Sequence, residues 1–151
     1  MTIERLDALS IFNDKLTFLI PHEWIEVESD EGDVYQYQVP DATSGFFRVS
    51  LITANGPAEK LRQSFEKEHR NVEVNPTTGN FIARSEKALT QDGTRIHIYY
   101  WFVGGSVAPD VVREAVFSYT VLADLVDDNE TQSDVKIIGQ LAADARFDRA
   151  G

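Results

Sequence analysis

The sequence predicts an α+β domain: a mostly antiparallel central sheet of about six to seven strands with helices packed on both faces, an α/β/α sandwich. Three observations predict it. Two long apolar runs, 94–103 and 111–126, are separated by only about seven breaker-rich residues. That gap is too short for a parallel crossover, so the runs are neighbouring antiparallel strands. Both runs are apolar on both faces, which requires cover on both faces. Two well-separated amphipathic segments, near 57–69 and 134–146, each carry one apolar stripe able to supply that cover.

In the first run Ile96, Ile98, Tyr100 and Phe102 share one face at strand spacing, and His97, Tyr99, Trp101 and Val103 share the other. The second run places Val111, Ala115, Phe117, Tyr119, Val121, Ala123 and Leu125 together. Its opposite face holds Val112, Val116, Leu122 and Val126, interrupted by Ser118, Thr120 and Asp124.

The remaining elements follow in order. Residues 9–12 and 16–20 flank Asn13-Asp14-Lys15 and read as a small hairpin. Pro21 breaks the pattern, because it has no amide proton for a continuing ladder, and Trp24 is expected to fold back as a core anchor. Residues 25–28 make a short strand before the acidic turn 29–33. Residues 34–39 alternate, with Tyr35, Tyr37 and Val39 opposing Val34, Gln36 and Gln38. Residues 40–45 form a loop into a strand over 46–53. Gly56-Pro57 suits a helix start with Pro57 at the first helical position; Ala58, Leu61 and Phe65 form its stripe, and it frays near 69–71. After a turn-rich segment comes a strand over 81–89, joined through Gln91-Asp92-Gly93 to the first central run; Asp-Gly is a strong hairpin signal. The polar segment 127–134 supplies cap-forming side chains for the last helix. Val135, Ile138, Leu141, Ala142 and Ala145 mark that helix to about Arg146.

At 151 residues the chain reads as a single domain over 1–151, long enough to bury roughly 70% of its unfolded surface. Its 42% hydrophobic and 26% charged fractions are ordinary for a globular protein. Net charge −11 and the lack of any Lys/Arg-rich run argue against nucleic acid or an anionic membrane as partner. A chain without cysteine has no disulfide, thiolate nucleophile or Cys-type metal site. No apolar run approaches the roughly 20 residues of a membrane span, and the first ten residues lack a signal-peptide core. A cytoplasmic location is therefore expected.

The element order, together with Leu16-Thr17-Phe18-Leu19-Ile20-Pro21-His22-Glu23-Trp24, resembles the PsbP-like superfamily, whose domains open with a short strand and a Pro-x-x-Trp turn and close with long strands and a terminal helix. That superfamily includes a photosystem II extrinsic subunit, a Ran-binding import factor and adaptor chaperones for type VI secretion effectors. The resemblance implies a mostly non-enzymatic domain that binds other proteins through a sheet face or groove. It carries no partner-binding residue over to this chain.

Chemistry-bearing motifs are sparse. His22, His69 and His97 fall in a turn, at a helix end and in a strand, without the short spacing of a metal site. The alternating Asp127, Asn129, Thr131 and Ser133 suggest calcium, but Gln132 and Ile138 stand where an EF-hand requires glycine and glutamate. Gly104-Gly105-Ser106 lacks Walker-loop spacing and a following lysine, so it reads as a flexible hairpin loop. No Gly-x-Ser-x-Gly elbow is present. No catalytic residue, metal or cofactor is expected.

The richest feature is aromatic. Alternation sends these rings to both sheet faces, so most are expected to be core; tyrosine and tryptophan combine large apolar area with a polar handle, so whatever part a helix leaves uncovered is the expected docking platform. The expected platform is the face carrying His97, Tyr99 and Trp101, with Tyr35 and Tyr37. The leading expectation is a cytoplasmic, non-enzymatic protein- or peptide-binding domain, such as a secretion adaptor or accessory chaperone, with a basic or helical partner; a homodimer is a further expectation. The alternatives are a small-ligand protein or unrecognised hydrolase with a pocket near His97, and an acidic immunity protein that neutralises a basic toxin.

Overall fold

The structure is a computed structural model, and it describes residues 5–29, 32–40 and 46–148. Among these described residues, ten strands and two α-helices follow in the order β1 (Leu6–Ile11), β2 (Leu16–Pro21), β3 (Ile25–Val27), β4 (Val34–Gln38), β5 (Phe46–Asn55), α1 (Ala58–Glu68), β6 (Glu73–Val74), β7 (Phe81–Gln91), β8 (Thr94–Ala108), β9 (Val111–Leu122), α2 (Asn129–Asp144) and β10 (Arg146–Phe147). Seven strands form one antiparallel sheet in the order β3-β4-β5-β9-β8-β7-β6, and three form a small sheet, β1-β2-β10.

Register assigns every strand residue to a face, because directly opposed residues in antiparallel strands project to the same side. Tyr99 opposes Tyr119, which opposes Phe47, which opposes Tyr37. Trp101 opposes Phe117, and Val49 and Tyr35 follow in the same row. Over this face lie the β1–β2 hairpin and α2. Phe18 packs edge-on to Phe117 and Phe47 at 5.5 and 6.3 Å, and Trp24 meets Phe47 at 5.7 Å. Trp24 is thus the core anchor expected. Helix α2 presses Gly139 against the Trp101 indole and buries Val135, Ile138, Leu141 and Ala142.

Helix α1 touches the opposite face, where Leu61 and Phe65 cluster with Ala83, Val112, Phe81 and Phe102. Eleven residues long, it reaches only the end of the sheet near Gly104. A complete two-sided sandwich is therefore not formed. The polar interruptions at Ser118 and Thr120, joined in register by Lys87 on β7, lie where that face has no roof.

Several expected boundaries move. The segment read as a seven-residue loop is strand: β8 continues through Gly104 and Gly105 to Ala108, and Pro109-Asp110 alone connects it to β9. Glycine is demanded there by close approach. A Cβ on Gly104 would lie 2.8 Å from Phe65 Cζ, and one on Gly105 would collide with Asn80 Oδ1. Strand β9 stops at Leu122, and a 3-10 turn over Ala123–Leu125 takes the chain to α2. Pro21 ends β2 paired with Leu6 instead of breaking it, and Pro57 caps α1 instead of occupying its first turn. Helix α2 ends at Asp144, which frees Arg146 and Phe147 to pair with β2. The loop over 41–45 and the centre of the acidic turn lie outside the described residues. Asp92 and Gly93 take positive φ (52° and 80°), as an Asp-Gly hairpin requires.

Candidate functional site

The five residues expected to form a platform share one face, but that face is sealed. Tyr37, Tyr99 and Trp101 are 2, 2 and 3% exposed, beneath α2 and the β1–β2 hairpin. They are core residues and cannot receive a partner. Tyr35 is half-buried against Phe12 at 4.8 Å. His97 sits at the rim, its Nε2 2.9 Å from Glu86 Oε1 and its ring 4.7 Å from Tyr99. Among the described residues no serine or threonine hydroxyl is bonded to His97 or Glu86, so the pair lacks a nucleophile. His22 bonds Asp7 at 2.7 Å, and His69 stacks on Phe102 at 4.2 Å. Among the described residues no three metal-ligating side chains converge.

The sealed layer also encloses polar chemistry. Tyr119 donates its hydroxyl proton to Asp134 Oδ2 at 2.9 Å, with both residues at 5% exposure or less. Burial pushes the Asp134 carboxyl up to about 6, opposed by the Tyr119 hydrogen bond and aided by Glu130. Burial first, then the Asp134 charge, also raises the Tyr119 hydroxyl.

The opposite face is open beyond α1. Its central row runs Ile25, Gln38, Phe46, Thr120, Ile98, Lys87; the next runs Val27, Gln36, Arg48, Ser118, Tyr100, Ser85. Of the seven large apolar side chains that stand exposed among the described residues, five project to this face: Ile25 at 66%, Ile52 at 59%, Val74 at 50% opposite Phe81 at the α1 end, and Phe46 and Leu122 at 37%. Ile96, Ile98, Tyr100, Phe102 and Val116 add half-buried apolar area. Clustering of this kind marks interaction surfaces, whereas single exposed apolar residues do not. The stacked rings of His69, Phe102 and Tyr100 lead outward from α1 onto the open area.

Charge on this face differs from that of the chain as a whole. Its described strand residues include Arg48 and Lys87 on the open rows and a single carboxylate, Glu114, at the α1 end. Glu114 is half-buried, and burial followed by the nearby Glu68 raises its carboxyl. Arg48 is steadied by a 3.0 Å bond from its Nε to Gln36 Oε1. The open rows therefore offer an apolar stripe with basic flanks, on a chain of net charge −11.

No family model matches the chain, and no curated protein matches it. Among solved structures, a protein from Bacteroides thetaiotaomicron is similar at a TM-score of 0.51 and 23% identity; the match covers 73% of this chain but only 39% of that one. LpqN, involved in cell envelope biogenesis of Mycobacterium tuberculosis, matches at a TM-score of 0.53 and 10% identity, over 95% of this chain and 91% of its own. The solution structure of cyanobacterial PsbP from Synechocystis sp. PCC 6803 matches at a TM-score of 0.40 and 13% identity, over 94% and 92%. At these identities the likeness concerns the fold.

Proposed function

We propose that this chain is a binding domain whose docking surface is the open face of the seven-stranded sheet, and that its partner is an apolar peptide or helix with acidic flanks. The observation that carries this reading is the concentration of exposed Ile25, Phe46, Ile52 and Leu122 on one face, with Arg48 and Lys87 as the charges of its open rows. Aromatic and aliphatic side chains supply the anchor, and rim charges select the partner and speed its encounter. The sign follows from local charge and not from the net value, so acidic flanks replace the basic partner expected from composition. An accessory chaperone that shields an apolar segment of a client is the finer reading, and it draws on fold analogy. LpqN is a protein of cell envelope biogenesis, so an envelope setting competes with a cytoplasmic one, and cell fractionation separates them.

The test uses two synthetic amphipathic helical peptides with the same leucine face, one flanked by glutamate and one by lysine. NMR titration is expected to perturb amides around Phe46, Ile98 and Tyr100, with the glutamate-flanked peptide binding at least several-fold more tightly. Absence of binding, perturbations confined to the α2 side, or preference for the lysine-flanked peptide would overturn the proposal.

A further inference from the structure

The open face has a direction as well as a sign. Arg48 on β5 and Lys87 on β7 stand on opposite sides of β9 and β8, three strand spacings or about 14 Å apart. An α-helix with its side chains is about 10–12 Å across, so the two cations border a lane one helix wide. Ile96, Ile98 and Tyr100 of β8 and Val116 and Leu122 of β9 floor it.

One end of the lane is closed by α1. There Glu114 stands between Gly104, which has no side chain, and Ile52, which is 59% exposed. Glu114 is half-buried, and among the described residues no hydrogen bond or cation reaches its carboxylate. The charge that acts on it is a second carboxylate, Glu68, in the last turn of α1. Three residues on from Phe65 and seven from Leu61, Glu68 falls on the apolar side of that helix, whereas Lys67 falls on the outer side. The carbonyl end of α1 adds negative potential at the same spot.

We infer that the partner is a helix lying along this lane, its acidic flanks against Arg48 and Lys87, and that it ends at α1 in an arginine or lysine held jointly by Glu114 and Glu68. Both halves of such a side chain are provided for: its aliphatic stem covers exposed Ile52 while its cation meets the carboxylates. A cation there also offsets the cost of a half-buried carboxylate beside a like charge. From Glu114 to Leu122 strand β9 covers about 26 Å, the length of about 17 helical residues. The basic residue therefore stands at one end of a segment of that size. This inference rests on the docking role of the open face and adds its orientation.

The test uses the glutamate-flanked peptide with either arginine or glutamine at one end of its leucine face. The arginine form is expected to bind several-fold more tightly. Glu114→Gln should abolish that gain while leaving affinity for the glutamine form unchanged or higher, and Glu68→Gln should reduce it. Glu59→Gln, an equal change of net charge in the first turn of α1, should preserve it. A spin label at the arginine end should broaden the amides of Ile52 and Glu114 most strongly, and one at the opposite end those of Ile96 and Leu122. If the glutamine form docks on the open face but arginine brings no gain, if the gain survives Glu114→Gln, or if the broadening is reversed, the inference is overturned and the docking face stands. If neither peptide binds, both fall.

Discussion

The Tyr119 hydroxyl donates to the Asp134 carboxylate across the interface between β9 and α2, 2.9 Å apart and shut away from solvent. A charged carboxylate in that position is costly to bury, so the folded chain holds a proton on Asp134 up to a pH of about 6, against 3.8 for an ordinary aspartate. Between those values the folded state binds more protons than the unfolded state, so stability falls as pH rises through the window. The full difference is on the order of 3 kcal/mol. Urea unfolding at pH 4.5 and pH 7 is expected to show the wild type more stable at the lower pH once other carboxylates are accounted for. Asp134→Asn should remove most of that slope.

Removing the donor has the opposite emphasis. Tyr119→Phe leaves the Asp134 carboxylate buried without its hydroxyl partner, at a cost of about 1–3 kcal/mol at neutral pH. The loss should shrink below pH 5, where the carboxyl is protonated. Equal losses at both pH values would show that packing, not the hydrogen bond, sets the effect.

The paired glycines of β8 are expected to be intolerant for steric reasons. At Gly105 a methyl group meets Asn80 Oδ1, and Asn80 cannot swing aside because its Nδ2 is bound to the Ala145 carbonyl at 3.0 Å. At Gly104 it meets the Phe65 ring and Leu61 beneath α1. Each change to alanine should cost about 1–3 kcal/mol as overpacking. Thermal melts of Gly104→Ala and Gly105→Ala check this, with Gly32→Ala as a control where no atom stands in the way.

These glycines also show where the sequence misleads. Gly104-Gly105-Ser106 carries the composition of a loop, and only the approach of Phe65 and Asn80 makes it strand. The strand pairs and both amphipathic stripes are legible, since alternation and a three- to four-residue step are local properties. Which face stays open depends on where α1 ends and on how far the β1–β2 hairpin folds over, and both are tertiary. A signal is present nonetheless. Phe117, Tyr119 and Val121 run uninterrupted on one face of β9, whereas Ser118 and Thr120 punctuate the other. Aromatic content alone points to Tyr99 and Trp101 as a platform, yet rings in the uninterrupted row belong to the core. Strand β10, two residues long, leaves no pattern to read.

Face parity predicts contrasting outcomes at nearby positions of β8. Trp101→Ala should cost about 3–5 kcal/mol, as truncation of a buried ring does. Ile98→Lys, on the open rows, should cost under about 1 kcal/mol and weaken the glutamate-flanked peptide at least tenfold. Denaturant melts and peptide titrations on the two variants separate stability from binding.

The central claim, one face of the sheet sealed and the other open to a partner, is tested most directly by thiol alkylation in this cysteine-free chain. Phe46→Cys, where the native ring is 37% exposed, should react readily and be protected by the glutamate-flanked peptide; Val121→Cys, where the native side chain is 2% exposed, should react only through unfolding and be indifferent to it. Comparable rates at the two positions, or protection of Val121→Cys instead of Phe46→Cys, would contradict the account.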